Sequence, residues 1–364
     1  MLKVLSLFDW CSWGQQSLER LWIIDYAYYS AEIDKYAISV TQKNFPNTIQ
    51  IGSVTDIWID WNWLRIWDWT EKIWQIDWWI DLLIGWSPCT WFSRAGKQLN
   101  FEDPQSKLFF EYVRILKEVK PRYFMLENVK MKKEFSDVIT EHLFWITFTE
   151  INSSLLAAQN RKRLYWVWER QEDWTYKKVE ISQPEDKKIF LKDILEANVD
   201  EKYNISNKHT EAILVNREIK NKTSDIHQLN NPTHSNNRIY WIDWKSPTLN
   251  TMQWGNRQPK ILEEVIATQL WNSKNRWNCS WSDKAYKIRA SEPNWVILWW
   301  TRIRKLTPLE CERLQTIKDW YTAIWLVNWV EVPISNSQRY KMVWNWWTTD
   351  IIAFIFSHLD LWKN

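Results

Sequence analysis

Leu2-Lys3-Val4-Leu5-Ser6-Leu7-Phe8-Asp9-Trp10-Cys11-Ser12-Trp13-Gly14-Gln15 opens the chain, and its reading decides the fold. An apolar run of strand length, residues 4–8, passes through a turn into helical spacing over residues 15–21. A strand feeding a helix this way is the first unit of an α/β domain, and such a turn lets a bound cofactor approach the backbone. That approach calls for glycine, yet glycine stands only at Gly14 while Trp10 and Trp13 hold the other two places. Many nucleotide-binding folds share a turn of this kind, so the turn fixes fold class before function.

The displaced glycines recur along the chain. There are 33 Trp and only 5 Gly, whereas glycine ordinarily supplies about 7% of residues. Asp60-Trp61, Asn62-Trp63, Asp68-Trp69, Asp77-Trp78, Asp243-Trp244 and Asn328-Trp329 all read as Asp-Gly or Asn-Gly turns with the glycine overwritten. Positive φ costs glycine nothing and costs tryptophan a steric clash. Most of these tryptophans are therefore expected to stand for glycine, as when a UGA codon that the owner reads as glycine is translated as tryptophan.

Outward from the first turn, strands are expected at residues 28–32, 81–84, 123–127 and 164–167, with helices over 34–44 and 106–119. This alternation predicts a Rossmann-like fold with a mixed, mostly parallel sheet. Residues 58–79 read as a turn-rich excursion. Residues 1–170 form the expected catalytic and cofactor domain. Residues 171–300 are polar, rich in Asn, Lys and Ser, and weakly periodic, as in a smaller inserted domain with few regular elements. Residues 301–364 return to the first domain, with helical spacing over 306–314 and a last helix over about 337–359.

Composition excludes several classes. No apolar run reaches the ~18 residues of a membrane helix, and the N-terminus has no signal-peptide pattern. Cys11, Cys89, Cys279 and Cys311 are scattered, without a C-x-x-C pair, which argues against a metal site or disulfide framework and for a reducing cytoplasm. A net charge of +3 leaves any nucleic-acid surface to local basic groups.

Four groups carry candidate chemistry. Glu32 ends the second strand, where an acid about 20 residues after the turn bonds ribose hydroxyls. Gly85-Trp86-Ser87-Pro88-Cys89 follows a buried strand, and its flanking Pro and Gly suit a loop that aims a thiol outward. Glu127-Asn128-Val129 ends the next long strand. Gln159-Asn160-Arg161-Lys162-Arg163 precedes another and offers alternating basic side chains. A nucleophile, an acid and an anion-binding pair at adjacent strand ends make a plausible site.

Together these residues resemble the cytosine-C5 DNA methyltransferase family over nearly the whole chain. Phe8, Asp9, Trp10, Cys11, Ser12, Trp13 and Gly14 resemble its first cofactor motif, Ser87-Pro88-Cys89 its Pro-Cys loop, and Glu127-Asn128-Val129 its Glu-Asn-Val motif. Gln159, Arg161 and Arg163 match Gln-x-Arg-x-Arg. Arg304-Lys305-Leu306-Thr307-Pro308-Leu309-Glu310 through Gln315 matches the block after the target-recognition domain, and Gln338 through Asn345 the closing motif once Trp344 is read as glycine. With glycine restored, the first motif resembles the Dnmt3-like or phage-type branch. Ser53, beside Val54, stands where relatives often carry an Asp that contacts the adenine amine.

The resemblance implies that Cys89, as thiolate, adds to C6 of a cytosine flipped from double-stranded DNA. Glu127 would hold or protonate N3, Arg163 would bond the base's carbonyl oxygen, and Arg161 and Gln159 would organise the loop and nearby phosphate. C5 would then take the methyl group of S-adenosyl-L-methionine, held by residues 8–14, Glu32, Ser53, Val54 and Asn345. Residues 171–300 become the target-recognition domain, with Thr248, Leu249, Asn256 and Arg257 against DNA. A bacterial or phage-encoded cytoplasmic enzyme follows, with no metal and no membrane; a partner restriction endonuclease stays open. The same chemistry on tRNA, or a catalytically inert DNA-binding protein of the same fold, are the rival readings.

Overall fold

The computed structural model describes residues 1–60, 63–67, 73–77, 79–86, 104–205, 226–229, 237–249, 257–270 and 295–362. Its centre is an eight-stranded sheet. The strands β1 (Leu2–Leu7), β2 (Tyr26–Ala31), β3 (Ile49–Gln50), β7 (Leu82–Trp86) and β8 (Tyr123–Val129) run parallel. The strands β9 (Thr149–Asn152), β10 (Lys162–Arg170) and β11 (Tyr176–Lys178) join antiparallel. The order β11-β10-β8-β7-β1-β2-β3, with β9 against β10, is the mixed, mostly parallel sheet read from the sequence. The expected helices are present as α1 (Trp13–Arg20), α2 (Lys35–Asn44) and α3 (Pro104–Val119), and α4 (Lys133–His142) follows β8.

Both faces of the sheet are covered, so its central strands are apolar throughout rather than alternating. Successive residues still part to opposite faces. Val4, Leu82, Ile84 and Met125 pack in one layer with Leu18 of α1. Leu5, Leu83, Phe124 and Leu126 pack in the other with Tyr112 and Leu116 of α3.

Two expectations fail here. The excursion over residues 58–79 is a three-stranded antiparallel sheet, β4 (Ile57–Asp60), β5 (Trp63–Trp67) and β6 (Ile73–Asp77), in the order β4-β5-β6. Ile57-Trp58-Ile59, Trp63-Leu64, Ile66-Trp67 and Ile73-Trp74 are short apolar runs, and reading every Trp as a turn glycine broke them up. The last helix is two, α6 (Asn336–Trp344) and α7 (Thr349–Phe356). Thr348 breaks the run: its hydroxyl lies 2.7 Å from Ser153 Oγ and donates to Gln315 Oε1 at 3.1 Å.

The polar region carries more regular structure than its composition suggested. There, β12 (Ile239–Trp241) pairs with β13 (Lys260–Leu270), which pairs along eleven residues with β14 (Trp295–Lys305). Buried Arg304 fastens this sheet to α5 (Pro308–Leu314): its guanidinium donates to Glu310 Oε2 at 2.7 Å and also reaches Glu263. Helix α5 starts at Pro308, two residues after the expected helical spacing begins and ending with it at Leu314, with Pro308 in its first turn. Thr307 Oγ1 accepts from the Glu310 amide at 3.1 Å while the Glu310 carboxylate accepts from the Thr307 amide at 2.8 Å, a reciprocal cap.

Candidate active site

The acid and the arginines meet at the carboxyl edge of β8. Glu127 faces Tyr165 on β10, so Arg163, two residues away, shares its face. Arg163 Nε lies 2.9 Å from Glu127 Oε1, with both side chains largely out of water. Burial pushes the Glu127 carboxyl up, and the Arg163 and Arg161 guanidiniums pull it part of the way back. On its other flank Glu127 is paired with Trp86, the last residue of β7. Cys89, with Ser87 and Pro88, lies outside the described residues, as does Asn256.

The loop before β10 is held from two sides. The Arg161 amide donates to Asn152 Oδ1 at 2.9 Å, and the Arg161 carbonyl accepts from the Ser153 amide at 3.0 Å. Gln159 is fully buried, and its amide has no hydrogen-bond partner among the described residues. A buried orphan amide is rare in a native structure and suits a ligand or an adjoining loop. Gln159 also forms a bridge with Ser246, so the Ser246-Pro247-Thr248-Leu249 stretch runs against the arginine loop. The exposed Thr248 hydroxyl donates to the Asn160 carbonyl at 2.7 Å, Leu249 is buried in the core, and Arg257 is exposed. Lys245 and Asn152 were missed by sequence reasoning. Lys245 adjoins the Thr-Leu stretch that was singled out, whereas nothing local marks Asn152.

The turn after β1 has the backbone of a cofactor cradle. Phe8, Trp10 and Ser12 take φ of 58°, 55° and 60°. Buried Asp9 braces it internally, accepting from Ser6 Oγ at 2.5 Å, Tyr28 Oη at 2.6 Å and Ser12 Oγ at 3.0 Å. Burial raises the Asp9 carboxyl. Glu32 closes the far side, accepting from the amides of Trp10, Ile33 and Asp34, each at 2.8 Å. Burial raises it too, against the pull of those three N–H groups. Gly14 is required: a Cβ there would lie 2.4 Å from Ile84 Cδ1 and 2.5 Å from Tyr28 Oη. Cys11 is buried, its thiol pushed far up by desolvation. Ser53 caps the short turn that contains buried Val54, and Asn345 caps the end of α6.

The side chains on that cradle do not suit a cofactor. The indole of Trp86 crosses to the Phe8 carbonyl, donating at 2.7 Å, and that of Trp10 donates to the Met342 carbonyl at 3.0 Å. The Trp13 ring lies 4.6 Å from Trp347 and 6.1 Å from both Trp86 and Trp346. Four large rings thus fill the space between β1, β7 and the α6–α7 break. The buried indole N–H groups of Trp13 and Trp346 find no acceptor among the described residues, where an unmet donor costs about 1–3 kcal/mol. The backbone fits an adenosyl ligand; the rings exclude one.

Among the described residues no helix is long and apolar enough to cross a membrane, and no cluster of three His, Cys, Asp or Glu could hold a metal. The chain is 32% identical to the type II methyltransferase M.NlaX of Neisseria lactamica, over 95% of this chain and 92% of that protein. It is 26% identical to the orphan methyltransferase M.SPRI of Bacillus phage SPR, over 98% and 97%. The methyltransferase EhMeth of Entamoeba histolytica has the same fold, with a TM-score of 0.61, 16% identity and coverage of 100% and 99%. S. pombe Dnmt2 gives a TM-score of 0.58 at 13% identity, covering 98% of each chain. The C-5 cytosine-specific DNA methylase family matches residues 2–359, and with the strand-edge acid, the arginine loop and the cradle backbone already in view, the chain belongs to that family of S-adenosylmethionine-dependent enzymes.

Proposed function

We propose that the protein methylates C5 of a cytosine flipped out of duplex DNA, through a covalent bond between Cys89 Sγ and C6. The observation that carries this reading is the buried Glu127–Arg163 pair, set beside the end of the strand that leads into the Cys89 loop. Cytosine C5 is a weak nucleophile until a group adds at C6. A thiol of ordinary pKa, about 8.5, is a poor thiolate at neutral pH, and a positively charged neighbour favours its ionisation. As Sγ bonds C6, the ring's electrons move toward N3, and the Glu127 carboxyl supplies the proton there. Burial keeps that carboxyl protonated nearer neutrality than an exposed glutamate. Arg163, already beside Glu127, holds the carbonyl oxygen of the same base. Once C5 carries the methyl group, a base takes the C5 proton, the Sγ–C6 bond breaks with its electron pair leaving on Sγ, and the N3 proton returns to Glu127, which restores the aromatic ring. S-adenosylmethionine supplies the methyl group in this family.

Residues 171–300 serve as the target-recognition domain, with exposed Arg257 and Thr248 turned to DNA, and the enzyme acts in the cytoplasm of a bacterial or phage-infected cell. Labelled methyl incorporation into unmethylated duplex DNA and into tRNA, by a chain with glycine in place of Trp10, Trp13, Trp86 and Trp346, tests the reading. Label in the DNA alone, lost in Cys89→Ser, is expected; label in tRNA alone would transfer the site to RNA. No label with either, from a folded chain that binds DNA, would make it an inert binding protein.

A further inference from the structure

Tryptophan occupies the left-handed backbone positions of this fold out of all proportion. Among the described residues, thirteen non-glycine residues have positive φ, and six are Trp: Trp10, Trp22, Trp145, Trp174, Trp320 and Trp329. Three sit in turns whose hydrogen bonds define a glycine site. Trp22 follows the cap of α1, its amide donating to the Glu19 carbonyl while Ile23 donates to Leu18, both at 3.0 Å, which is the Schellman geometry. Asn328-Trp329 is the two-residue loop between β15 (Ile324–Val327) and β16 (Val330–Pro333), with φ of 49° and 66°, the turn that favours Asn-Gly. Trp174 closes the three-residue tip, 172–174, of the turn between β10 and β11, inside the bond from the Gln171 amide to the Thr175 carbonyl at 2.8 Å, where a left-handed glycine is usual.

Burial agrees with backbone. Trp22 and Trp329 expose 85% and 87% of their surface, so their rings gain nothing for the strain. Among the described residues, the three glycines written as such include one in a left-handed site, Gly52 at φ 77°, and two, Gly14 and Gly85, where a Cβ would collide. We infer that, in the cell that owns the gene, glycine is inserted at these six positions and also at Trp13, Trp86 and Trp346, by a translation system that reads UGA as glycine. The cradle's misfit is then a misreading of codons: with glycine there, three of the four rings over the first turn vanish, Trp347 alone remains, and room opens for an adenosyl ligand. Trp63 lies within a strand and Trp244 has no positive φ, so their Asp-Trp and Asn-Trp spelling is no sufficient sign of glycine.

Peptide masses from the native cell, with the codons read from its gene, test the decoding. UGA codons with glycine masses at positions 22, 174, 329, 13 and 86 are expected; tryptophan masses there overturn the inference. Two chains made in an ordinary host, one as written and one with glycine at 10, 13, 86 and 346, test the cradle separately from catalysis. Calorimetry with S-adenosylmethionine alone should show at least tenfold tighter binding to the glycine chain. Equal binding by two folded chains overturns the cradle argument.

A second observation stands apart from tryptophan. The ammonium of Lys245 is buried and donates to the carbonyls of Ser154 at 2.6 Å and Ala157 at 3.2 Å, with Asp186 at 3.7 Å. Next to it, the Ser246 amide donates to Ala158 at 2.7 Å and the Asn160 amide to Ser246 at 2.8 Å. Lys245 therefore ties the Thr248 stretch to the turn that feeds Gln159, Arg161 and Arg163. The geometry points to Lys245 as a positioning residue for that loop, an inference that rests on the function proposed above. Steady-state kinetics of K245M and K245R in the glycine-restored chain, with melting temperatures, separate the two. Loss of kcat by tenfold or more in K245M, with KM for S-adenosylmethionine unchanged and recovery in K245R, supports it. Unchanged kcat, or parallel loss of kcat, cofactor affinity and melting temperature, overturns it. Inactivity of the parent chain would strike the proposed function instead.

Discussion

Two stretches of one strand edge behave differently. Beside β8 and β10, the side chains themselves suit the chemistry: Glu127 and Arg163 are paired, buried and next to the strand that leads to Cys89. Beside β1, only the backbone suits it, since Glu32 and Gly14 shape a cradle that the rings of Trp13, Trp86 and Trp346 occupy. The difference teaches that an acid or arginine states its role through its functional group, whereas glycine states it through the φ it permits. A turn can therefore keep its shape after the residue that justifies it has been replaced.

The comparison breaks most sharply at Cys89. In the glycine-restored chain, Cys89→Ser should abolish methyl transfer to duplex DNA; retained turnover would remove the nucleophile from the account. Glu127→Gln keeps the shape and removes the proton, so kcat should fall by about 10²–10⁴-fold. The sign of its pH dependence follows from the raised carboxyl. The protonated acid is the active form, so wild-type kcat should decline on the alkaline side as Glu127 ionises. Glu127→Gln should lose that limb, and a limb of unchanged position would assign it elsewhere.

At the other end, glycine at positions 10, 13, 86 and 346 should tighten cofactor binding by at least tenfold, about 1.4 kcal/mol. The smallest effect is Trp329→Gly alone, in the exposed β15–β16 turn. Relief of the left-handed penalty should raise stability by about 1 kcal/mol, read by chemical denaturation, with no effect on cofactor affinity. A loss of stability would show that Trp329 packs usefully.

Much of this was legible in the sequence for physical reasons. The central strands are continuous apolar runs because both faces are buried, and they stand within a few residues of where those runs fall. The reciprocal cap of Thr307 and Glu310 is written in Thr-Pro-Leu-Glu, and α5 starts there. The three strands at residues 57–77 were not legible, because tryptophans read as turn glycines broke up their short apolar runs. The break before α7 rests on the Thr348 hydroxyl meeting Ser153 and Gln315, partners far away in sequence. At the candidate site, the motifs single out Glu127, Arg161 and Arg163 because each carries its own charged group, and the structure sets Glu127 beside Arg163. The Lys245 tether depends on carbonyls some ninety positions upstream, and no local pattern announces it.

The most direct test is a covalent trap. A duplex carrying 5-fluorocytosine, incubated with the glycine-restored chain and S-adenosylmethionine, blocks the final loss of the C5 substituent and holds the enzyme on its base. The account predicts a denaturation-resistant protein–DNA adduct whose cross-linked peptide contains Cys89, absent in Cys89→Ser and slowed in Glu127→Gln. An adduct through another residue, or methylation of ordinary duplex DNA with no adduct on the fluorinated one, would contradict it.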